Sequence, residues 1–269
     1  MPRKRRLPGQ MRPTLPNAGI RITYQRKLEA LIDEMHRSVL YWLRATYRSR
    51  EIEIAQDASP SRELAAQLRK RAAQWRKRFA DDAGPFARSF IAQVDKYSSS
   101  ATKQAAVSMT GLGVSMKDTL ITNNVLQASV AENVSLIKSI QEQYFTQVEG
   151  LVMRSITAGR DLKTLTDELE QRYCIARRRA KFIANDQNNK ATAQMARVRQ
   201  QSLGCKKARW RHTGGGKHPR ESHVAADGKI FDLNKGLYID GKWIFPGELP
   251  NCGCIGEPII PGVDDENDD

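Results

Sequence analysis

The chain has 269 residues, 40% of them hydrophobic, which is enough for one large domain or two modest ones with a real core and excludes global disorder. Its formal net charge of +14 is unevenly spread: residues 1–80 hold 19 Lys/Arg against 7 Asp/Glu, residues 172–220 hold 14 against Asp186 alone, and Asp264 to Asp269 is almost wholly acidic. No apolar run approaches the ~20 residues that cross a bilayer, and none follows the basic opening MPRKRRLPGQ, so neither a membrane span nor a secretory signal is expected and a cytoplasmic origin is.

Residues 1–19 mix prolines and glycines with Arg3, Lys4, Arg5 and Arg6, a composition that cannot hold a helix and reads as a flexible basic arm. A helical region is expected over 20–110. Leu28, Leu31, Ile32, Met35, Val39 and Leu43 recur at three- and four-residue steps, so a helix is predicted from Ile20 to about Ile54. Ser59-Pro60-Ser61 breaks it, and Arg62 to Ala80 carries Leu64, Leu68, Ala72, Trp75 and Phe79 on one face. Gly84-Pro85 is expected to end that helix, and Phe86, Phe90, Ile91 and Val94 to open another. Residues 98–116, poor in charge and rich in small residues, read as a boundary or hinge. Long helices are expected over 111–203: one from about Lys117 to Ala158 with Gly159 as its stop, a short one capped by Asp161, and one from Ala176 to Leu203.

The texture changes at Gly204. Over 204–260 glycines and aromatics dominate, and Lys229–Leu233, Leu237–Tyr238 and Lys242–Phe245 read as strands of small hairpins. Residues 261–269 form the acidic tail. The fold class expected is mainly α: an elongated helical region, then a small α+β (β-hairpin) C-terminal module. A module of that size has little core and gains most from a staple.

His212, His218 and His223 fall in this module, and Cys252 and Cys254 close it. Imidazole and thiolate are the ligands of tetrahedral Zn2+, so one reading is a structural zinc on His223, Cys252, Cys254 and one of His212 or His218. The other reading is a pair of packed thiols beside histidines on a mobile glycine loop. A C-x-C pair is too close for an easy mutual disulfide, and Cys174 and Cys205 complete a sparse thiol set. His223 at a strand end also admits a ββα-metal, HNH-like nuclease, but the carboxylates for a catalytic Mg2+ are not supplied. Gly214-Gly215-Gly216-Lys217 lacks phosphate-loop spacing.

Ahead of the module, Arg177, Arg178, Arg179 and Lys181 lead into Lys206, Lys207 and Arg209. This run suits the backbone of DNA, since cations meeting phosphates release counterions, and it equally suits a solvated helix face. A helix spreads Arg177 to Arg179 around its axis, and no stacking platform or recognition helix accompanies them, so any nucleic-acid contact should be insensitive to sequence.

In order, Trp210, Arg220-Glu221-Ser222-His223, Gly228, Pro246-Gly247 and Asn251-Cys252-Gly253-Cys254 resemble the head morphogenesis proteins of the Mu F-like and SPP1 gp7-like kind. In that family a helical region ends in an Arg-Thr-Glu-like helix, followed by a Trp, an Arg and His three residues apart, a Gly, a Pro-Gly and a Cys-Arg-Cys close. The chain departs twice, with Asn185-Asp186-Gln187 at the triplet and Cys-Gly-Cys at the close. The match covers roughly 130–258, which makes 111–203 the long helices of a head morphogenesis domain. The resemblance implies a non-enzymatic minor capsid protein of a tailed phage, needed for head assembly and for DNA packaging or delivery. It implies a place in the virion, reached from the host cytoplasm, against the portal protein, major capsid protein and packaged double-stranded DNA. The alternatives are a metal-dependent nuclease and a sequence-independent DNA-binding protein.

Overall fold

The computed structural model describes residues 11–50, 59–111, 113, 115–116, 119–157, 162–214 and 218–260. Residues 1–10 of the expected basic arm, with Arg3, Lys4, Arg5 and Arg6, the expected stop Gly159 and cap Asp161, and the acidic tail lie outside them. The rest of the arm is not the free segment expected: Met11 and Thr14 are buried, Thr14 bonds the Thr102 hydroxyl at 3.2 Å, and helix begins at Ala18.

Four long helices dominate: α1 (Ala18–Arg50), α2 (Ser59–Thr110), α3 (Leu120–Thr157) and α4 (Leu162–Ser202). Asn17 starts α1, its Oδ1 accepting the backbone N–H groups of Gly19 at 2.8 Å and Ile20 at 3.2 Å, which would otherwise lack partners. Thr119 does the same for Thr122 at the head of α3. At the other end of α4, Gly204 takes a positive φ of 84° while the N–H of Cys205 reaches back to the Gln200 carbonyl, the paired closure that turns a helix into a strand.

Three expected breaks are absent. Gly84-Pro85 does not end a helix: Phe79, Ala83, Ala87, Phe90, Ile91 and Val94 form one buried stripe straight through it. Burial of that stripe exceeds the ~3 kcal/mol an interior proline costs. The stripe continues through Ser98, Thr102, Ala105 and Ala106, so the expected hinge is helix up to Thr110, its small side chains allowing close packing rather than flexibility. Likewise the two helices expected after residue 160 are one, because Leu165, Leu169, Ala176, Ala180 and Ile183 keep a single periodic face.

The chain forms two compact units, one of Ile22–Arg88 and Val130–Ala184, the other of Met1–Arg21, Ser89–Ser129 and Asn185–Asp269. The first is all helical over its described residues. Beside its apolar residues it buries His36, whose Nδ1 lies 2.9 Å from the Tyr144 hydroxyl and whose Nε2 lies 3.1 Å from Glu170, with the Tyr173 ring stacked on the imidazole. The second unit holds the β module. Its sheet has the order β2-β1-β5, with β1 (Lys207–Arg211) central and antiparallel to β2 (Ile230–Asp232) and β5 (Ile255–Ile259). Strand alternation turns Ala208 and Trp210 of β1 inward and leaves Lys207, Arg209 and Arg211 on the other face. A separate hairpin joins β3 (Leu237–Ile239) to β4 (Lys242–Ile244) through Asp240 and Gly241, both at positive φ, as a two-residue turn requires. Only this pair is a hairpin as expected; Lys229–Leu233 pairs with β1 instead. A single turn, α5 (Glu221–Ala225), lies between β1 and β2.

Candidate metal centre

β1 carries Trp210 into the middle of the module, where it is fully buried and meets the His223 ring edge-on at 5.3 Å and Phe231 at 6.1 Å. Arg220 and His223 lie three residues apart across the turn of α5, a spacing that puts both on one side of the helix. That side faces the 250–254 loop. Arg220 Nη2 donates to the Pro250 carbonyl at 3.0 Å, and His223 Nδ1 lies 3.4 Å from Cys252 Sγ and 3.7 Å from Cys254 Sγ.

The loop is clasped at two further points. Asp186, from α4, accepts the Asn251 N–H at 2.6 Å, and Thr213 donates its hydroxyl to the Gly253 carbonyl at 2.9 Å. Asn251 sits at a positive φ of 61°, which asparagine tolerates and which turns the chain so that Cys252 and Cys254 point the same way. A Cβ on Gly253 would stand 3.0 Å from the Thr213 hydroxyl, so the residue between the two sulfurs is small where Thr213 packs. Gly247, at φ 78°, lets the preceding Pro-Gly turn pass α4 so closely that a Cβ would sit 2.8 Å from Ala193.

His223, Cys252 and Cys254 are all buried, and their ligand atoms lie within 4.8 Å of one another, a group that can hold a metal ion. All four cysteines are free thiols. With metal–sulfur bonds of ~2.3 Å and metal–nitrogen bonds of ~2.05 Å, a tetrahedral site has N···S edges of about 3.6 Å. The two His223–sulfur separations, 3.4 and 3.7 Å, bracket that edge. Cys252 is also prepared as a thiolate: its pKa is lowered to about 5, first because Cys254 donates its S–H to it, with backbone N–H groups of Cys254 and Gly247 and the nearby His223 adding to the effect against the cost of burial. Cys254, which keeps the shared proton, is pushed above the ordinary thiol range.

Of the other expected ligands, His212 Nδ1 lies 3.6 Å from Cys254 Sγ, while its own backbone N–H is held by Asp227. His218 is exposed. A cavity of about 530 Å³ opens beside the group, with His212, His218, Arg220, Asn185, Asn189 and Asn251 in its wall. Asp186 and Thr213 escape notice in the sequence. Asp186 belongs to a triplet that departs from the family pattern, and its partner is 65 residues away.

The basic residues divide between the two compact units. In the helical unit, the half-buried Arg177 is ion-paired to the fold, its Nη1 2.8 Å from Asp33 and its Nη2 2.9 Å from Glu29; Arg179 Nη2 donates to Ser139. Arg178 and Lys181 are exposed. In the module, Lys206 and Lys207 are exposed, and Arg209 Nη1 donates to the Gly228 carbonyl. The hairpin also exposes an aromatic pair missed in the sequence, Tyr238 and Trp243, with Lys235 Nζ 5.2 Å over the Trp243 ring.

Residues 146–256, from the end of α3 into β5, match the family described as Phage Mu protein F like protein. An uncharacterized protein of Haemophilus influenzae is 29% identical over 177 residues, which covers 65% of this chain and 38% of that protein. The YqbB protein of Bacillus subtilis, also uncharacterized, is 35% identical over 71 residues, covering 22% of this chain and 23% of its own. The chain thus spans well under half the length of either relative. No solved structure matches it significantly. The matched segment holds α4, Trp210, the Arg220–His223 turn and both cysteines of the group, and over that segment the chain is similar to the Phage Mu protein F like family.

Proposed function

We propose that the protein is a minor capsid, head morphogenesis component of a tailed phage, associated with the portal and inner capsid and touching packaged DNA without sequence preference. The observation that carries this is the family match over 146–256, which falls on the helix and module that build the metal centre. In line with a place inside a particle, none of the described helices is long and apolar enough to cross a membrane. The metal is Zn2+: two thiolates and an imidazole are a soft, tetrahedral donor set, and a module with a core this small is stabilised most by such a staple. The exposed Lys206 and Lys207 supply part of the contact with DNA backbone.

Co-expression with the portal protein of the same phage tests the assembly role, and the protein is expected to co-purify with portal rings at a fixed ratio in high salt. Absence from the rings would overturn it, as would metal-dependent nicking of plasmid DNA by the wild type but not by His223→Ala. Metal analysis of the purified chain should return one zinc per molecule, lost in Cys252→Ser; trace zinc in the wild type would refute the staple.

A further inference from the structure

The three buried ligands leave one corner of a tetrahedron to be filled. Among the described residues, His212 is the nearest protein candidate, 3.6 Å from Cys254 Sγ. It nevertheless falls outside the group whose ligand atoms all lie within 4.8 Å of one another, whereas a closed tetrahedron needs every edge near 3.6 Å. His212 is tethered by its backbone N–H to Asp227 at 3.0 Å, on the rim of the site. The remaining direction belongs to the 530 Å³ cavity, whose wall is made of the site itself together with imidazoles, a guanidinium and amides. Among the described residues no carboxylate lines it. Structural zinc sites close all four positions with protein; sites that take an external ligand keep three protein ligands and an open fourth.

We infer that this metal centre keeps its fourth position open to the cavity and binds a phosphate oxyanion there, with one oxygen on the metal and the rest toward Arg220 and the rim histidines. The charges favour this: a divalent ion with two thiolates is neutral, so an arriving anion meets Arg220 in the described wall, while the nearby carboxylates of Asp186 and Asp227 stand behind it, engaged by the backbone N–H groups of Asn251 and His212. The same chemistry serves a free phosphate ion or a phosphate of the DNA backbone. The inference rests on the metal reading above.

The test uses the full chain loaded with Co2+ and freed of excess ion, with the visible absorption of the bound ion as readout. Inorganic phosphate is titrated in one arm and a short DNA duplex in the other. Saturable band changes with inorganic phosphate support the open site, and the same changes with duplex assign the ligand to DNA backbone. Arg220→Ala should raise half-saturating phosphate about tenfold; if that variant loses cobalt because the loop is unclasped, His218→Ala on the exposed rim should raise it several-fold. A spectrum indifferent to phosphate, but altered by His212→Ala, would mean that His212 closes the tetrahedron, and the inference would fall while the metal reading stood. Failure of the wild type to take up cobalt would instead overturn the metal reading itself.

Discussion

Replacing Trp210 with alanine should open the β module while leaving the all-helical unit folded. Trp210 is fully buried at the centre of β1, with His223 edge-on at 5.3 Å and Phe231 at 6.1 Å. A buried tryptophan removes ~200 Å² from water, and at ~25 cal/mol per Å² its loss costs about 5 kcal/mol. Core truncations of this size run at about 3–5 kcal/mol, so ~4 kcal/mol is expected, most of what a module with so small a core can have. Amide hydrogen exchange reads this directly. Trp210 N–H donates to the Lys229 carbonyl and Gly228 N–H to the Trp210 carbonyl, both at 2.8 Å, and these amides should exchange about 10³-fold faster in the variant. Amides of α1 from Ile32 to Leu43 should be unchanged. Trp210→Phe, which keeps an aromatic ring beside His223, should cost about half as much. If Trp210→Ala accelerates the β1 and β2 amides by less than tenfold, Trp210 is not the keystone of the module and the reasoning fails.

Three further outcomes follow from particular contacts. Burial lowers the pKa of His36, against the opposing hydrogen bond it donates to Glu170, so the unfolded chain binds this proton more readily than the folded one. Stability from His36 is therefore present above the unfolded value near 6.5 and lost as pH falls toward the lower folded value, at no more than about 1.4 kcal/mol per pH unit; urea melts of His36→Gln should lack that component. Asp186 acts on the metal only through the loop it holds at Asn251, so Asp186→Leu should weaken zinc about tenfold in a chelator competition while Asp186→Asn, which still offers an oxygen, retains most of the affinity. If Lys206 and Lys207 both meet phosphates, the double alanine variant should reduce the slope of log affinity against log salt by about 1.8, and an unchanged slope would remove them from the DNA surface.

The sequence by itself determined the helices, because a three-to-four-residue apolar step such as Leu28 to Leu43 is a local property of the chain. It also located the module, through glycine and aromatic texture, and selected His223, Cys252 and Cys254 by residue type alone. It could not decide where Pro85 would be overridden, since that depends on the burial of Phe79, Ala87 and Phe90 against the rest of the fold. Nor could it find β1 or β5: five residues such as Lys207–Arg211 carry no strong periodic signal until antiparallel partners on both sides fix which face is core. Bringing the three candidate ligands into one buried group was likewise a tertiary matter. Residues 29 and 31 positions apart in the chain were brought to ligand distance by Asp186, Arg220 and Thr213 clasping one loop, and no local pattern announces bonds of that range. The tertiary structure also gave Asp186 its place: the triplet that breaks the family pattern holds the loop that carries both sulfurs.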